Sequence, residues 1–489
     1  MAQEVELKFD VDPGDGDAIR SVRIFAGTRP KARQQDSLYY DTPDGAVRRA
    51  GFSLRVRRAG QRYVQTIKQR NGRSAGLFVR QEWESEVPSF ALDRDALDAT
   101  PLKRWLADTA SDTLVPLVRA RLKRTAWQVR HERSWVEVVL DEGTIAKGKA
   151  RAPVRELELE LIDGEPAALF ALAEEIAAAV PLRLGVLSKV ERGYALADGK
   201  LGQPAKAEPI RLKPPASEAE AFHAIAQACL RHFRLNEMVL LEARDPDALH
   251  QARVAIRRLR SAMSLFRPAV RGTDYQHLRE ELRWFARELG DARNLDVLIA
   301  RAEADEMLCA ALQPLRERAY DRVAATLRSE RAQALMLRLS HWVELGDWRG
   351  RKRATHDLGG LATEQLERQW KRIARRGDGL AELDAKARHG LRIAVKKLRY
   401  AAEFMAPLYT AKPQSVRRDS FLAALKALQE RLGDLNDAWT AEGLAAWLPA
   451  ELRPALSQVH APVDQRRALQ AAEKAFRRAA AASGYWRGG

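Results

Sequence analysis

Residues 1–10 read Met1-Ala2-Gln3-Glu4-Val5-Glu6-Leu7-Lys8-Phe9-Asp10. Glu4, Glu6 and Lys8 alternate with Val5, Leu7 and Phe9. Residues two apart share a face of a β-strand, so two carboxylates and an ammonium point one way and three apolar side chains the other. A surface strand leaves such a charged face in water. Here the same alternation returns at Arg55/Arg57, Thr66/Lys68, Arg80/Glu82/Glu84, Arg119/Arg121 with Arg124 nearby, Glu137/Asp141 and Glu156/Glu158/Glu160. Surface strands usually mix in Thr, Ser and Gln and seldom keep both signs in register. The repeated pattern therefore predicts a closed sheet with a charged interior and helices over its apolar outside. Clustered carboxylates suit a divalent cation that prefers oxygen ligands, Mg²⁺ or Mn²⁺, and clustered Arg and Lys suit phosphate oxygens.

Working outward, strands are expected at Glu4–Phe9, Phe52–Arg57, Tyr63–Lys68, Phe78–Glu86, Val118–Thr125, Trp135–Asp141 and Glu156–Leu161, and helices at Ala167–Val180 and Asp95–Thr109. Lys123 interrupts the alternation after Arg121, so a bulge or early end is expected there. Four prolines between Lys200 and Ser217 give a linker composition, and Ser217 with Glu220 then forms a capping-box pattern. Beyond it Ala, Leu, Arg and Glu recur with helical periodicity and nothing reads as a strand. The expected organisation is an α+β domain over 1–200, a linker over 201–216 and an all-α domain over 217–489.

Composition narrows the function. Cys229 and Cys309 are the only cysteines of 489 residues, which argues against a disulfide scaffold or a thiolate metal site and suits a reducing cytoplasm. The sequence shows neither a signal-peptide pattern nor a run of about 18 apolar residues, so a soluble protein without membrane insertion is expected. The net charge is +17, and it is unevenly placed. Residues 1–210 carry 34 basic and 31 acidic side chains, whereas residues 211–489 carry 49 and 35. The C-terminal part thus favours a polyanion.

That part also repeats itself. His250-Gln-Ala-Arg253-Val-Ala-Ile-Arg257-Arg258-Leu-Arg260 is matched by His389-Gly-Leu-Arg392-Ile-Ala-Val-Lys396-Lys397-Leu-Arg399. Each is followed by an acidic-amide motif, Leu289-Gly-Asp-Ala-Arg-Asn294-Leu-Asp296 and Leu432-Gly-Asp-Leu-Asn436-Asp437. The histidine and three cations at offsets 0, 3, 7 and 10 fall within an arc of about 80° on a helix, with Leu259 and Leu398 opposite. Such like-charged stripes are destabilising unless a counter-anion is supplied, by a ligand or by Asp291, Asp296, Asp434 and Asp437. Neither stripe contains an aromatic residue and no helix-turn-helix or RNA-binding signature is present, which argues for inorganic polyphosphate over nucleic acid.

At these residues the chain resembles two families. Glu4-x-Glu6-x-Lys8, Tyr39-Tyr40-Asp41-Thr42, Leu54-Arg55-Val56-Arg57, Thr66-Ile67-Lys68, Arg80 with Glu82 and Glu84, Glu158/Glu160, and Ser188-Lys189 with Arg192-Gly193 resemble the CYTH domains, or triphosphate tunnel metalloenzymes, over about residues 1–200. That resemblance implies an eight-stranded antiparallel tunnel that binds a linear triphosphate. It implies metal ligation by Glu4, Glu6, Asp141, Glu158 and Glu160, with Glu82 and Glu84 as further acidic wall. Phosphate would be held by Lys8, Arg55, Arg57, Lys68, Arg80, Arg121, Arg124, Lys189 and Arg192, and catalysis would draw on Glu4, Glu6, Lys8, Lys68, Glu82 and Glu84.

The repeat resembles the CHAD domain over about residues 217–485. It implies polyphosphate binding by His250, Arg253, Arg257, Arg260, His389, Arg392, Lys396 and Arg399, without catalysis. The combined expectation is a metal-dependent inorganic triphosphatase joined to a polyphosphate-binding module, cytoplasmic and able to reach polyphosphate granules. The alternatives are a non-catalytic polyphosphate-binding protein, or an adenylyl cyclase or organic triphosphatase of the same tunnel family.

Overall fold

In the computed structural model, β1 (Ala2–Asp10) lies between two antiparallel neighbours, β5 (Leu77–Val87) and β8 (Ala150–Asp163). Its charged face does not reach bulk water. Glu4, Glu6 and Lys8 are 7%, 4% and 2% exposed, and Leu7 and Phe9 on the other face are buried as well. The structure describes residues 2–70, 74–106, 113–213, 215–435 and 465–487.

The strands follow one another as β5-β4-β3-β2-β6-β7-β8-β1, and a β5–β1 pairing closes them into an eight-stranded antiparallel barrel. The remaining strands are β2 (Lys31–Asp41), β3 (Phe52–Ala59), β4 (Arg62–Arg70), β6 (Val115–His131) and β7 (Ser134–Lys147). A two-residue strand, β9 (Arg183–Leu184), continues the β1 edge: β5 pairs with Ala2 to Leu7, and β9 with Phe9 and Asp10. Positions that line the cavity carry the charge. Outer positions covered by helices are apolar: Leu157 and Leu159 lie under the Ala167–Ala177 helix, and Leu54, Val56 and Ile67 pack with Leu97, Leu102 and Leu106.

Three expectations need correction. Strand β2 was not expected, because Lys31 to Asp36 show little alternation of apolar and charged side chains. The helix expected at Asp95–Thr109 is two short helices, Arg94–Asp98 and Lys103–Leu106, with residues 107–109 outside the described set. Pro101 explains the break, since it disfavours a helical residue before it. Strand β6 neither bulges nor stops at Lys123, which stays in register with Gln34 on one side and Glu142 on the other.

The chain divides into two compact units. One comprises Met1–Lys206, Leu230–Ala252 and Ala325–Gly346; the other comprises Ala207–Cys229, Arg253–Ala324 and Asp347–Gly489. In the first, the Glu330–Leu345 helix packs on the Ala167–Ala177 helix and on β9. The capping box forms as expected at the head of the Glu218–Ala243 helix: Glu220 N–H donates to Ser217 Oγ, and Ser217 N–H to Glu220 Oε2. Helices dominate this part, and none among the described residues is long and apolar enough to cross a membrane.

Candidate active site

The barrel encloses a cavity of about 240 Å³. Strand register decides which charges meet there. On β1, Glu4 stands opposite Arg80, Glu6 opposite Glu160, and Lys8 opposite Glu158. On the facing strands Lys68 pairs with Glu82, Thr66 with Glu84, and Arg55 with Tyr39. All of these line the cavity, together with Arg57, Arg124 and Lys189.

Its deep end is neutralised by the chain itself. Lys189 Nζ lies 2.8 Å from Asp141, 2.9 Å from Glu156 and 2.7 Å from Glu158. Lys8 reaches Glu158 at 2.7 Å and Glu156 at 3.3 Å. Arg124 grips Asp141 through two hydrogen bonds, at 2.8 and 2.6 Å, and donates to Glu158 at 2.9 Å. Burial works against the Lys8 ammonium, but Glu156 and Glu158 outweigh it and hold its pKa at about 12. Burial likewise opposes ionisation of Glu158, yet Lys189, Lys8 and Arg124 keep it well below the ordinary carboxylate range. Glu156, in phase with Glu158 and Glu160, is fully buried beneath this cluster.

The other part of the cavity is not balanced. Burial, with Glu4 and then Glu6 and Glu158 adding to it against Lys68, pushes the Glu160 carboxyl up to about 7. Glu4 accepts from Lys68 at 2.5 Å through one oxygen, while its buried Oε2 finds no hydrogen-bond partner. Glu6 stands 3.3 Å from Arg80. Opposite them, Arg55, then burial and Arg124, push Arg57 down to about 10, with Arg33 adding to the effect. Glu84 compensates Arg57 only loosely, at 3.5 Å, whereas Tyr39 and Glu82, the latter at 3.9 Å, hold Arg55 up against its burial. Crowded carboxylates with an orphaned oxygen fit a divalent cation, and crowded guanidiniums fit a phosphate anion. Among the described residues no three metal-ligating side chains converge as they stand; Glu4 is drawn toward Lys68 and Glu6 toward Arg80.

Two expected phosphate ligands lie elsewhere. Arg121 is on the outward face of β6, its side chain 62% exposed and 3.7 Å from Asp36, because it is out of phase with Arg124. Arg192 sits behind the wall, donating to Asp10 at 2.7 Å and standing 3.6 Å from Glu156. Asp141 is fully buried under Arg124 and Lys189 and does not line the cavity. Cavity-lining residues to which sequence reasoning gave no role are Arg33, hidden with β2, Ser53, Glu137 and Val190. Gly193 lets the Lys189–Ala197 helix approach β6: a Cβ there would fall 2.4 Å from Val118 Cγ1. Tyr194 fastens the same helix by donating to buried Asp41 at 2.8 Å.

The helical unit carries the second concentration of charge. The stripes lie on the Pro246–Leu265 and Ala385–Met405 helices, with Leu259 and Leu398 buried on their opposite sides. They converge: burial, then Arg257, Arg392, Arg399 and Arg253, push the Lys396 ammonium down to about 7. Burial, Arg257 and Arg293 likewise push Arg253 down to about 10. Burial, Arg283 and Arg279 lower Arg260. Arg279, Arg283 and Arg293 thus extend the basic surface beyond the repeat that revealed it. Arg257 donates to Tyr400 Oη at 2.8 Å.

The duplication is structural as well as sequential. A Cβ on Gly290 would stand 3.5 Å from Arg253, and one on Gly433 3.4 Å from Arg392, so each copy seats the same arginine over the same motif glycine. Among the described residues the acidic motif offsets the stripes only in part: Asp291 acts on Arg253 against burial, Arg257 and Arg293. Asp296 accepts from Arg316 at 2.9 Å and Tyr320 at 2.8 Å, and Asp291 stands 3.7 Å from Arg322. Asn436 and Asp437 lie outside the described residues.

Comparison with known proteins agrees with this division. The CYTH domain family matches residues 2–194 and the CHAD domain family matches residues 224–446. The chain is a CYTH domain followed by a CHAD domain. It is 30% identical over 202 residues to an inorganic triphosphatase of Haemophilus influenzae, a match covering 40% of this chain and 55% of that one. The match thus spans about half the length of that relative. Among solved structures, the CHAD domain from the plant Ricinus communis is 30% identical, covering 55% of this chain and 96% of that one with a TM-score of 0.47. A Hippeastrum protein described as having a dominant triphosphatase activity is 20% identical, covering 40% and 97% with a TM-score of 0.32.

Proposed function

We propose that the tunnel domain hydrolyses inorganic triphosphate to pyrophosphate and phosphate with Mg²⁺ or Mn²⁺, and that the helical domain binds inorganic polyphosphate. We place the boundary between them in the 201–216 segment. The observation that carries the first part is the pair of unbalanced walls in one cavity: Glu160 raised to about 7 among carboxylates, facing Arg57 lowered to about 10 among arginines. Each wall lacks the counter-charge that a metal–triphosphate complex brings. The inorganic triphosphatase of Haemophilus influenzae supports the choice of substrate.

Glu4, Glu6 and Glu160 would hold the cation, which supplies charge neutralisation at phosphate oxygens and a polarised water. Arg55, Arg57 and Arg124 bind the phosphate chain and stabilise charge moving onto the departing pyrophosphate, a task suited to fixed donors in a site that excludes water. Lys68, between Glu4 at 2.5 Å and Glu82 at 3.4 Å, would donate to a phosphate oxygen once Glu4 was engaged elsewhere. The Lys8–Lys189–Glu158 cluster keeps the inner wall fixed, and Lys189, which also lines the cavity, would bind the phosphate chain from there. For the helical domain, the lowered pKa of Lys396 among four arginines supports a polyanion ligand.

The test is phosphate release from inorganic triphosphate with Mg²⁺ or Mn²⁺, for wild type, for Glu4→Gln/Glu6→Gln, and with EDTA. Metal-dependent release that the double variant loses is the expected result. A folded wild type that releases none would leave the non-catalytic binding protein, or cyclase activity on ATP, as the reading.

A further inference from the structure

The inner end of the tunnel is braced by a helix that the strand pattern does not announce. Strand β5 leaves β1 after Leu7, and the chain that replaces it is β9 followed by Gly185, whose N–H donates to Lys8 O at 2.7 Å. Gly185 is required there, because a Cβ would fall 2.7 Å from Lys8 Cγ. The chain then runs through Val186 and Leu187 to Ser188, the N-cap of the helix that carries Lys189 and Arg192. With only two residues of β9 in the ladder, the carbonyls of this segment need donors from outside the sheet.

Arg231 and Arg234, on the Glu218–Ala243 helix and within the same compact unit, supply them. Arg234 Nε donates to Leu184 O at 2.7 Å, and Arg231 NH1 donates to Val186 O. Both arginines are buried, Arg234 to 1% exposure. A guanidinium so deep needs anions; one is on its own helix, and the other leads to the site. Arg234 reaches Asp10 at 3.4 Å and also pairs with Glu237. The other oxygen of Asp10 accepts from Arg192. Arg192 faces Glu156, and Glu156 in turn neutralises Lys8 and Lys189. Arg231 meanwhile donates to Glu191 Oε1 at 3.1 Å, while Glu191 Oε2 accepts from Ser188 to close the capping box.

We propose that Arg231 and Arg234 are positioning residues of the tunnel: through Asp10, Arg192 and the Ser188–Glu191 capping box they fix Lys189 against the inner wall. Both lie in the stretch matched by the CHAD family, so that stretch supplies part of the tunnel's support. The inference rests on the reading of the tunnel as a triphosphate site.

The test uses the full chain, inorganic triphosphate and Mg²⁺. Calorimetric affinity, KM, kcat and the thermal midpoint are measured for Arg234→Met, Arg231→Gln and Asp10→Asn, each in wild-type and Lys189→Ala backgrounds. We expect triphosphate affinity to fall about tenfold in each, since small misplacements of a binding group cost on this order or more. In the Lys189→Ala background the further loss should be small, because the residue being positioned is gone. Unchanged affinity in a folded variant, or an undiminished loss without Lys189, would overturn the proposal, and a lowered midpoint alone would count as that failure. If Arg234→Met does not fold, Asp10→Asn decides from the tunnel side. A wild type that binds triphosphate without hydrolysing it sinks the hydrolase reading and leaves this affinity test decisive; one that binds none overturns both.

Discussion

Lys189 in the tunnel has three carboxylates within 2.9 Å, whereas four arginines weigh on Lys396 in the helical unit. Lys189 is buried and Lys396 half-buried, and their pKa values move in opposite directions. Burial opposes the charge on each. Asp141, Glu156 and Glu158 overcome it at Lys189, while at Lys396 the arginines add to it. A cluster that neutralises itself is a scaffold, stiff and complete without a ligand. A cluster of one sign is held together by the fold at a cost, and an incoming anion relieves that cost. The tunnel contains both kinds, a balanced inner end and an unbalanced wall at Arg57, so its binding surface is built on its own ionic floor.

The largest effect should come from unbalancing that floor. Asp141→Ala leaves Arg124 and Lys189 short of a partner in a fully buried place. Removing one member of a buried ion pair typically costs roughly 3–5 kcal/mol. Chemical denaturation should show a loss of this size, larger than for any single substitution in the Lys396 cluster. A loss under about 1 kcal/mol, the range of an exposed pair, would mean that water already screens the inner end.

Next comes the one-sided cluster. Arg253→Ala/Arg257→Ala/Arg392→Ala/Lys396→Ala should weaken polyphosphate binding strongly and flatten its salt dependence, by about 3 in the log–log slope if each residue meets one phosphate. Triphosphate turnover should persist. Equal loss of both would mean that the division of labour between the two regions is wrong.

A smaller effect follows from proton linkage. Free Lys396 titrates near 7, below its ordinary 10.5, and bound polyphosphate will raise it again. Binding above that pH therefore takes up a proton, and affinity should fall with rising pH by at most about tenfold per pH unit. The same lowered pKa means that the unfolded chain holds more protons than the folded one between about 7 and 10.5, so stability contributed by this group rises with pH there. Titrating polyphosphate binding from pH 6 to 9 in wild type and Lys396→Met checks this. A pH dependence that survives the substitution assigns the proton elsewhere.

What could be read from the sequence follows the same contrast. The barrel was legible where charged and apolar residues alternate strictly, as in Glu4 to Phe9 and Glu156 to Leu161. It was illegible in β2, where Gln34, Gln35 and Ser37 blur the period, and Arg33 was lost with it. The paired stripes were legible because the chain states them twice. Arg231 and Arg234 were not, since a helix pattern does not distinguish an arginine bound for water from one bound for Asp10 more than two hundred residues earlier. Spacing shows which residues share a face, and only packing shows what that face meets.

The smallest expected effect tests this at a single strand. Arg121 and Arg124 are three apart on β6, and the family resemblance implied both as phosphate ligands. An odd separation puts them on opposite faces of a strand. Arg124 is 8% exposed and bridges Asp141 and Glu158, whereas the Arg121 side chain is 62% exposed and stands 3.7 Å from Asp36. Arg121→Ala should leave KM for triphosphate within about twofold and the thermal midpoint nearly unchanged, as exposed ion pairs contribute little. Arg124→Ala should damage both. A rise in KM for Arg121→Ala as large as that for Arg124→Ala would place both faces of β6 in contact with substrate, which a closed barrel, turning one face of each strand inward, does not allow.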